Sequence, residues 1–193
     1  MCIRDSIKPS QSALIQYFSH IADYSPLPLM LYNVPARTGC SMDVNTVLVL
    51  SHHEKIIAIK DADISIKKMK SYHDIKAGFA IYSGDDSFIL PALSHGAYGA
   101  VTVIGNLLPG LVNQMIEGYH ETSYDLAQLI EQGIAPITSL MSQLHNPAAI
   151  KWMLSERNII TSMLRAPLAP LTVDEQMRLQ PVLMNAEEML QVD

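Results

Sequence analysis

Short apolar runs alternate with amphipathic stretches along the chain up to about residue 120. Four of these runs have the length of a strand: residues 28–34, 56–60, 79–84 and 99–105. Strands that are apolar on both faces are typical of parallel sheets covered on both sides. The pattern therefore predicts four parallel strands.

The stretches between these runs have helical periodicity. In residues 11–24, for example, one helix face is shared by Leu14, Tyr17, Phe18 and Ile21. The other helical stretches of this part are residues 43–53, 64–73 and 86–96. No Gly-x-Gly-x-x-Gly motif follows a predicted strand, which argues against a dinucleotide-binding sheet. The spacing favours the βα units of a barrel.

Beyond the sequence GNLLPG the strand pattern stops and helices take over. The predicted helices are residues 107–121, 124–143, 147–156 and 173–190. Asn146 followed by Pro147 predicts an N-cap with proline at the first helical position. Thr172 and Glu175 have the spacing of a capping box, and Pro181 is expected to kink or split the last helix.

The chain is shorter than a complete barrel, which takes about 250 residues. We therefore expect an α/β protein that is the C-terminal half of a TIM (β/α)8 barrel, with about four βα units over residues 7–122. A C-terminal helical region over residues 123–193 follows it. The opening MCIRDS has no signal-peptide character and joins poorly to the rest, so residues 1–6 are interpreted as a non-native leader.

Composition excludes several classes of function. The formal net charge of -6 provides no basic surface for nucleic acid. No apolar run approaches the roughly 20 residues of a membrane-spanning helix. The two cysteines and seven histidines lack the spacing of a metal site, so no metal is expected, and the cysteine usage fits a reducing cytoplasm.

The apolar run Ile56 to Ile59 ends on a lysine, Lys60, at what would be the carboxyl end of a barrel strand. Active sites of TIM barrels lie at this end. Partly desolvated surroundings disfavour an ammonium group and lower the pKa of lysine from about 10.4. A neutral amine there is a nucleophile that forms Schiff bases with carbonyl compounds. The alternative is a lysine that extends from the strand end into solvent.

Other strand ends carry further candidates. The phenol of Tyr32 is suited to proton transfer, although a lone tyrosine also packs as an amphipathic side chain. Arg37 follows on a turn, where a guanidinium could bind a carboxylate or remain solvated. Gly84 allows close backbone approach to a ligand, whereas Asp85 or Asp86 is interpreted as a cap of the next helix.

Four segments together resemble a known family: LYNVPARTG, IIAIKDAD, IYSGDDSFILPALSHGAYGAVTVIGN and NPAAIKWMLSERNIITSMLRAPLAPLT. They are similar to the 4-hydroxy-tetrahydrodipicolinate synthase (dihydrodipicolinate synthase) family of the pyruvate-dependent class I aldolases. The resemblance runs from about residue 8 to the C-terminus.

This resemblance implies a TIM-barrel lyase of lysine and diaminopimelate biosynthesis that condenses pyruvate with L-aspartate 4-semialdehyde. It makes Lys60 the Schiff-base lysine and Tyr32 the proton-relay tyrosine. Arg37 would be the residue at the site entrance that binds the carboxylate of the semialdehyde. Gly84 would line the pyruvate pocket, and the backbone carbonyl of Val101 would contact the site. The resemblance implies no cofactor beyond the covalent Schiff base, and a homotetramer for the full-length protein.

Sister families share the lysine and the tyrosine, so Arg37 decides between them. The sialic-acid lyase branch has Ala-Leu-Ser-Gly at the corresponding place, without a cation. Another pyruvate-dependent aldolase remains an alternative. A non-catalytic half-barrel module is a second one, although its open strand edges would favour aggregation.

The sequence departs from the family pattern at two places. The family usually has threonine or serine and then glycine where Asp63 and Ile64 follow the lysine. Asp5 and Ser6 stand where the family has a Tyr-Tyr pair that completes the proton relay. The Gly-Thr-Thr-Gly-Glu loop that binds the carboxylate of pyruvate would belong to the absent first half. We therefore expect the 193-residue chain alone to be nearly inactive.

Overall fold

A computed structural model describes residues 8–72, 75, 77–121 and 123–189, apart from the side chains of residues 187 and 189. The chain divides into two compact units, one ending at Val101 and the other beginning at Thr102. Residues 1–6, predicted as a leader, and residue 122, where the predicted half-barrel ends, lie outside the described residues.

The first unit alternates strands and helices, as the hydrophobic pattern predicts. Its elements are α1 (Gln11–Tyr24), β1 (Leu29–Asn33), α2 (Pro35–Thr38), α3 (Val44–Ser51), β2 (Ile56–Asp61), α4 (Ile66–Ser71), β3 (Ala80–Ser83), a 3-10 turn (Asp86–Phe88), α5 (Ile89–Leu93) and β4 (Gly99–Ala100). The strands form one parallel sheet in the order β1-β2-β3-β4, which confirms the predicted parallel arrangement.

Strand register places two rows of residues at the carboxyl end of this sheet. One row joins Tyr32, Lys60 and Tyr82, and the next joins Asn33, Asp61 and Ser83. Successive residues of a strand point to opposite faces. The two rows therefore project to opposite sides of the sheet.

The core of the first unit lies on one face of the sheet. Leu31, Ile59 and Ile81 are paired across β1, β2 and β3 and are buried among helix residues that include Leu14 of α1 and Leu50 of α3. The other face is more open in the described residues, since Met30 is 46% and Tyr32 41% exposed. The apolar strands predict a sheet that is covered on both faces. In the described residues, helices cover the face that carries Leu31, Ile59 and Ile81.

The fourth predicted strand, residues 99–105, is much shorter than expected. Only Gly99 and Ala100 form β4. The backbone N–H of Gly105 donates to the hydroxyl of Thr102 at 2.8 Å, and a 3-10 turn (Ile104–Asn106) follows. This local hydrogen bond competes with the sheet ladder for an apolar, β-branched segment.

The second unit is helical. Its helices are α6 (Pro109–Glu121), α7 (Tyr124–Gln143), α8 (Ala148–Glu156) and α9 (Val173–Met189). The predicted capping box of α9 is confirmed, because the backbone N–H of Glu175 donates to the Thr172 hydroxyl at 3.3 Å and Thr172 N–H donates to the Glu175 carboxylate at 2.8 Å. No described helix is long and apolar enough to cross a membrane.

The structure differs from the helical predictions in two details. Pro147, not Asn146, is the N-cap residue of α8. The carbonyl of His145 accepts hydrogen bonds from the first two helical N–H groups, so the Asn146 side chain is not needed as a cap. Pro181 does not split α9, and Leu179 and Leu183 on either side of it are buried.

Candidate active site

Lys60 lies one residue before the end of β2, with Tyr32 beside it on β1 and Tyr82 on β3. Its ammonium nitrogen, Nζ, is 4.4 Å from the centroid of the Tyr32 ring, in cation–π geometry. The apolar β2 residues that precede it are largely buried, and Lys60 itself is half-buried. The structure thus brings together the two residues that the sequence assigns to catalysis.

Gly84 packs directly against the lysine. A Cβ atom at this position would lie 3.0 Å from Cε of Lys60 and 3.0 Å from the backbone nitrogen of Ala62. The N–H of Gly84 donates to the carbonyl of Asp61 at 2.7 Å, which extends the β2–β3 ladder beyond the strands. This close approach therefore favours glycine at position 84.

Replacing Gly84 with alanine is expected to displace the Lys60 side chain. The new methyl group would be too close both to Lys60 and to backbone that cannot move freely. We expect the rate of Lys60 modification by a carbonyl reagent to fall roughly tenfold or more. The rate is measured by borohydride trapping with peptide mapping.

Gly110→Ala is the matched control for this substitution. A Cβ atom at Gly110 meets nothing within 4 Å, and Gly110 belongs to α6. Its alanine variant should therefore react at Lys60 like the unchanged chain. Equal trapping rates in Gly84→Ala and Gly110→Ala would contradict the steric role of Gly84.

The remaining predicted site residues lie on segments that follow strand ends. The N–H of Val101 donates to the carbonyl of Ser83 at 2.8 Å, so Val101 continues from β4 beside the end of β3. Arg37 lies in α2, which begins two residues after β1, and its side chain is exposed. Among the described residues, no hydrogen bond joins Arg37 or Val101 to Lys60.

Asp85 caps the 3-10 turn that follows β3, as expected from the sequence. Its carboxylate accepts a hydrogen bond from Ser87 N–H at 2.9 Å.

A buried polar network lies on the opposite face of the sheet and was not anticipated from the sequence. Its centre is Asp61, which is 2% exposed. One carboxylate oxygen of Asp61 accepts from the Asn33 amide at 2.8 Å and from Asp63 N–H at 2.9 Å. The other oxygen accepts from the Tyr72 hydroxyl at 2.5 Å and lies 3.2 Å from the Lys68 ammonium.

The network also fixes the loops that follow β1 and β2. Asn33 accepts a hydrogen bond from Met42 N–H at 2.9 Å. Lys68 reaches the carboxylate of Asp63 at 3.3 Å and donates to the hydroxyl of Ser41 at 3.1 Å. The loop that follows Lys60 is where the sequence departs from the family pattern. Contacts of Asp63 with Asp61 and Lys68 hold this loop in place.

Strand alternation could have revealed the buried network from the sequence. If Lys60 points to one face of β2, the acidic residue after it must point to the other face, into the core.

The phenol of Tyr72 has a strongly raised pKa, first because it is buried and then because the negative charge of Asp61 opposes ionisation. An unfolded tyrosine ionises near pH 10, while folded Tyr72 keeps its proton. Above that pH the unfolded state binds fewer protons than the folded state. We therefore expect this group to lower the free energy of unfolding by up to about 1.4 kcal/mol per pH unit as pH rises above about 10.

Tyr72→Phe should remove this alkaline component. The variant is expected to lose stability less steeply above pH of about 10 than the unchanged chain. Urea unfolding followed by circular dichroism at a series of pH values measures the slope. Tyr24→Phe serves as the control because Tyr24 is 79% exposed. Identical slopes for all three chains would show that Tyr72 is not protected from ionisation.

The fold and this site together define a class: an α/β protein of βα repeats with a lysine beside a tyrosine at the carboxyl end of its parallel sheet. Functional sites of such folds lie at that end. The chain belongs to the dihydrodipicolinate synthetase family, whose model matches residues 6–186. The resemblance read from the sequence is confirmed.

Relatives support this assignment over most of the chain. The 4-hydroxy-tetrahydrodipicolinate synthase of Oceanobacillus iheyensis is 37% identical over 181 residues, which are 93% of this chain and 61% of that protein. The structure of the 4-hydroxy-tetrahydrodipicolinate synthase from Methylacidiphilum fumariolicum SolV has 34% identity and a TM-score of 0.92, with coverage of 95% of this chain and 62% of that one.

A third relative was solved with a ligand. The structure of the chloride-inhibited dihydrodipicolinate synthase from Acinetobacter baumannii, complexed with pyruvate, has 31% identity and a TM-score of 0.89. The match covers 93% of this chain and 62% of that one. The chain thus spans about three fifths of the length of the curated relatives that it matches.

Proposed function

We propose that this chain carries the lysine-bearing part of a lyase that condenses pyruvate with L-aspartate 4-semialdehyde to give 4-hydroxy-tetrahydrodipicolinate. This is a step of lysine and diaminopimelate biosynthesis. The observation that carries the proposal is the placement of Lys60 at the carboxyl end of β2, 4.4 Å from the Tyr32 ring. Membership of the family and the pyruvate complex of the A. baumannii relative support it.

The proposed reaction begins when the neutral amine of Lys60 attacks the ketone carbon of pyruvate. Loss of one water molecule gives a Schiff base, whose protonated form is an electron sink. Removal of a proton from the methyl carbon then gives an enamine. We assign proton transfer in these steps to Tyr32, because its ring lies beside the Lys60 amine and a phenol can donate and accept a proton.

The enamine carbon then attacks the aldehyde carbon of the semialdehyde, forming the new carbon–carbon bond. The amino group of the semialdehyde attacks the iminium carbon, closes the ring and releases the Lys60 amine. We assign Arg37 to the carboxylate of the semialdehyde, because a guanidinium binds carboxylates through two parallel hydrogen bonds. Gly84 is assigned to the pyruvate pocket, and the backbone carbonyl of Val101 is assigned to a contact with the site. The Schiff base itself supplies the electron sink, so the reaction needs no further cofactor.

The half-barrel is also a proposal. Four parallel strands in sequential order, each separated by helical segments, are half of what an eight-stranded barrel contains. Since the chain spans about three fifths of its relatives, we further propose that the 193 residues alone have little condensing activity. Measurable formation of the condensation product by the purified chain would contradict this.

Borohydride trapping tests the proposed chemistry on the chain itself, because the first step requires pyruvate and the amine but not the second substrate. Reduction of the Schiff base adds the atoms of pyruvic acid less one oxygen. We expect this adduct on the peptide that contains Lys60, as mapped by mass spectrometry. Lactate, which has the same carboxylate but no ketone, is the control and should leave the chain unmodified. No adduct, or an adduct on another lysine, would refute the assignment.

A further inference from the structure

The two rows at the carboxyl end of the sheet differ in character. Tyr32 and Lys60 form part of the candidate site on one face, whereas Asn33 and Asp61, the residues directly after them, are 0% and 2% exposed on the other. Each site residue is therefore followed in the chain by a member of the buried network. A side chain held on one face of a strand fixes the backbone from which its neighbour projects to the other.

The network joins the ends of β1 and β2 directly. The Asn33 amide donates to the Asp61 carboxylate across the two strands at 2.8 Å. The backbone also pairs at this point, since the N–H of Ala62 donates to the carbonyl of Asn33 at 2.9 Å. These contacts set the separation of the two strand ends, and with it the separation of Lys60 from Tyr32.

Helix α4 holds the same carboxylate from the other side. Tyr72, which follows the last residue of α4, donates to Asp61 and is 2% exposed. Lys68, within α4, lies 3.2 Å from the same oxygen of Asp61. Both Asp61 oxygens are thus occupied by donors from three segments of the first unit. A charged hydrogen-bonded group so enclosed has little freedom to move.

We propose that Asp61 is a positioning residue, which holds Lys60 over the Tyr32 ring. It does so through the hydrogen bonds that it accepts from Asn33 and Tyr72 and through its ion pair with Lys68. The functional part of this inference rests on the proposed Schiff-base chemistry, whereas the geometric part does not. Asp61 is assigned no contact with a substrate. It acts by fixing the β2 end, so that the nucleophile stays beside the group that exchanges protons with it.

The geometric part is tested by nuclear magnetic resonance on the full chain with lysine labelled with carbon-13 at Cε. The face of the Tyr32 ring should shift the Lys60 ε-methylene signal upfield. Lys60→Arg removes that signal and so assigns it, and Tyr32→Leu should abolish its shift. Asp61→Asn is expected to abolish most of the shift, and Tyr72→Phe to reduce it.

Leu50→Ala separates positioning from general loss of stability. Leu50 is 1% exposed in the same core, and its apolar side chain makes no hydrogen bond to Asp61. The Leu50→Ala substitution leaves a cavity, but the Lys60 ε-methylene signal should keep its upfield shift. Retention of the full shift in both Asp61→Asn and Tyr72→Phe would overturn the proposal. Tyr72→Phe removes a single hydroxyl group, so it tests the inference even if Asp61→Asn does not fold.

Trapping kinetics test the functional part. In Asp61→Asn the maximal rate of pyruvate trapping at Lys60 should fall roughly tenfold to a hundredfold, with the pyruvate concentration for half-maximal rate little changed. Leu50→Ala should match the unchanged chain in the maximal trapping rate and in the pyruvate concentration for half-maximal rate. An unchanged maximal rate in Asp61→Asn would overturn the positioning role alone. Failure of the unchanged chain to form any Lys60 adduct would instead refute the Schiff-base function, and the resonance experiment would still decide the geometric part.

Discussion

Lys60→Met is expected to abolish the adduct that forms when the chain is reduced in the presence of pyruvate. Methionine is of similar length to the apolar part of lysine and retains packing, but it has no amine to attack the ketone. We expect the rate of trapping at residue 60 to fall more than roughly a thousandfold, to the background of surface lysines. Intact-mass spectrometry over a time course, followed by peptide mapping, measures this rate.

Lys67→Met is the control for this substitution. Lys67 is exposed on α4, and its replacement removes one amine from the same unit without touching the candidate site. Its trapping time course should match that of the unchanged chain. Continued fast uptake of pyruvate by Lys60→Met would show that another lysine is the nucleophile, and the proposed mechanism would be lost with it.

The sequence predicts most of the architecture because apolar residues recur at the positions of each helix or strand that become buried. Helix α1 (Gln11–Tyr24) has the predicted bounds, since Ser10 caps it and its buried residues repeat at helical spacing. Helix α7 (Tyr124–Gln143) also has the predicted bounds, with Ser123 as its N-cap. The site pair follows from the same logic, because Lys60 and Tyr32 end apolar strands that pair in parallel. Local pattern and long-range packing agree at these places.

The sequence does not predict features that depend on which distant groups meet. Residues 101–105 have strand composition, but the hydroxyl of Thr102 captures Gly105 N–H and turns the chain. The Asp61 network joins residues far apart in sequence: Asn33 and Tyr72 are donors to one carboxylate. The contact of Asn33 with Asp61 follows from the register of β1 and β2, and that of Tyr72 with Asp61 follows from the path of α4. Neither the register nor the path of the helix can be deduced from the local pattern of apolar and polar positions.

Lys68→Met is expected to destabilise the first unit strongly. The side chains of Lys68 and Asp61 are 11% and 1% exposed, and Lys68 also lies 3.3 Å from Asp63. Without the ammonium, two carboxylates remain close together and one of them stays buried. Removing one partner of a buried ion pair costs about 3 kcal/mol or more, so we expect the free energy of unfolding to fall by about that amount.

Amide hydrogen exchange of the β2 residues is the suitable measurement. These amides belong to the first unit and measure its opening directly, whereas the single tryptophan, Trp152, belongs to the second unit. Lys67→Met, from the same helix but exposed, should change β2 exchange by less than about 0.5 kcal/mol. Equal exchange rates in the two variants would show that Lys68 does not compensate the charge of the buried Asp61 carboxylate.

The double variant Asp61→Asn with Lys68→Met decides whether the loss comes from an uncompensated charge or from packing of the lysine chain. If charge is the cause, Asn at position 61 removes the buried anion, and the double variant should be less destabilised than the sum of the two single variants. If lost packing is the cause, the two effects should add. A coupling of about 1 kcal/mol or more between Asp61 and Lys68 is the expected result, because they lie 3.2 Å apart and both are largely removed from solvent.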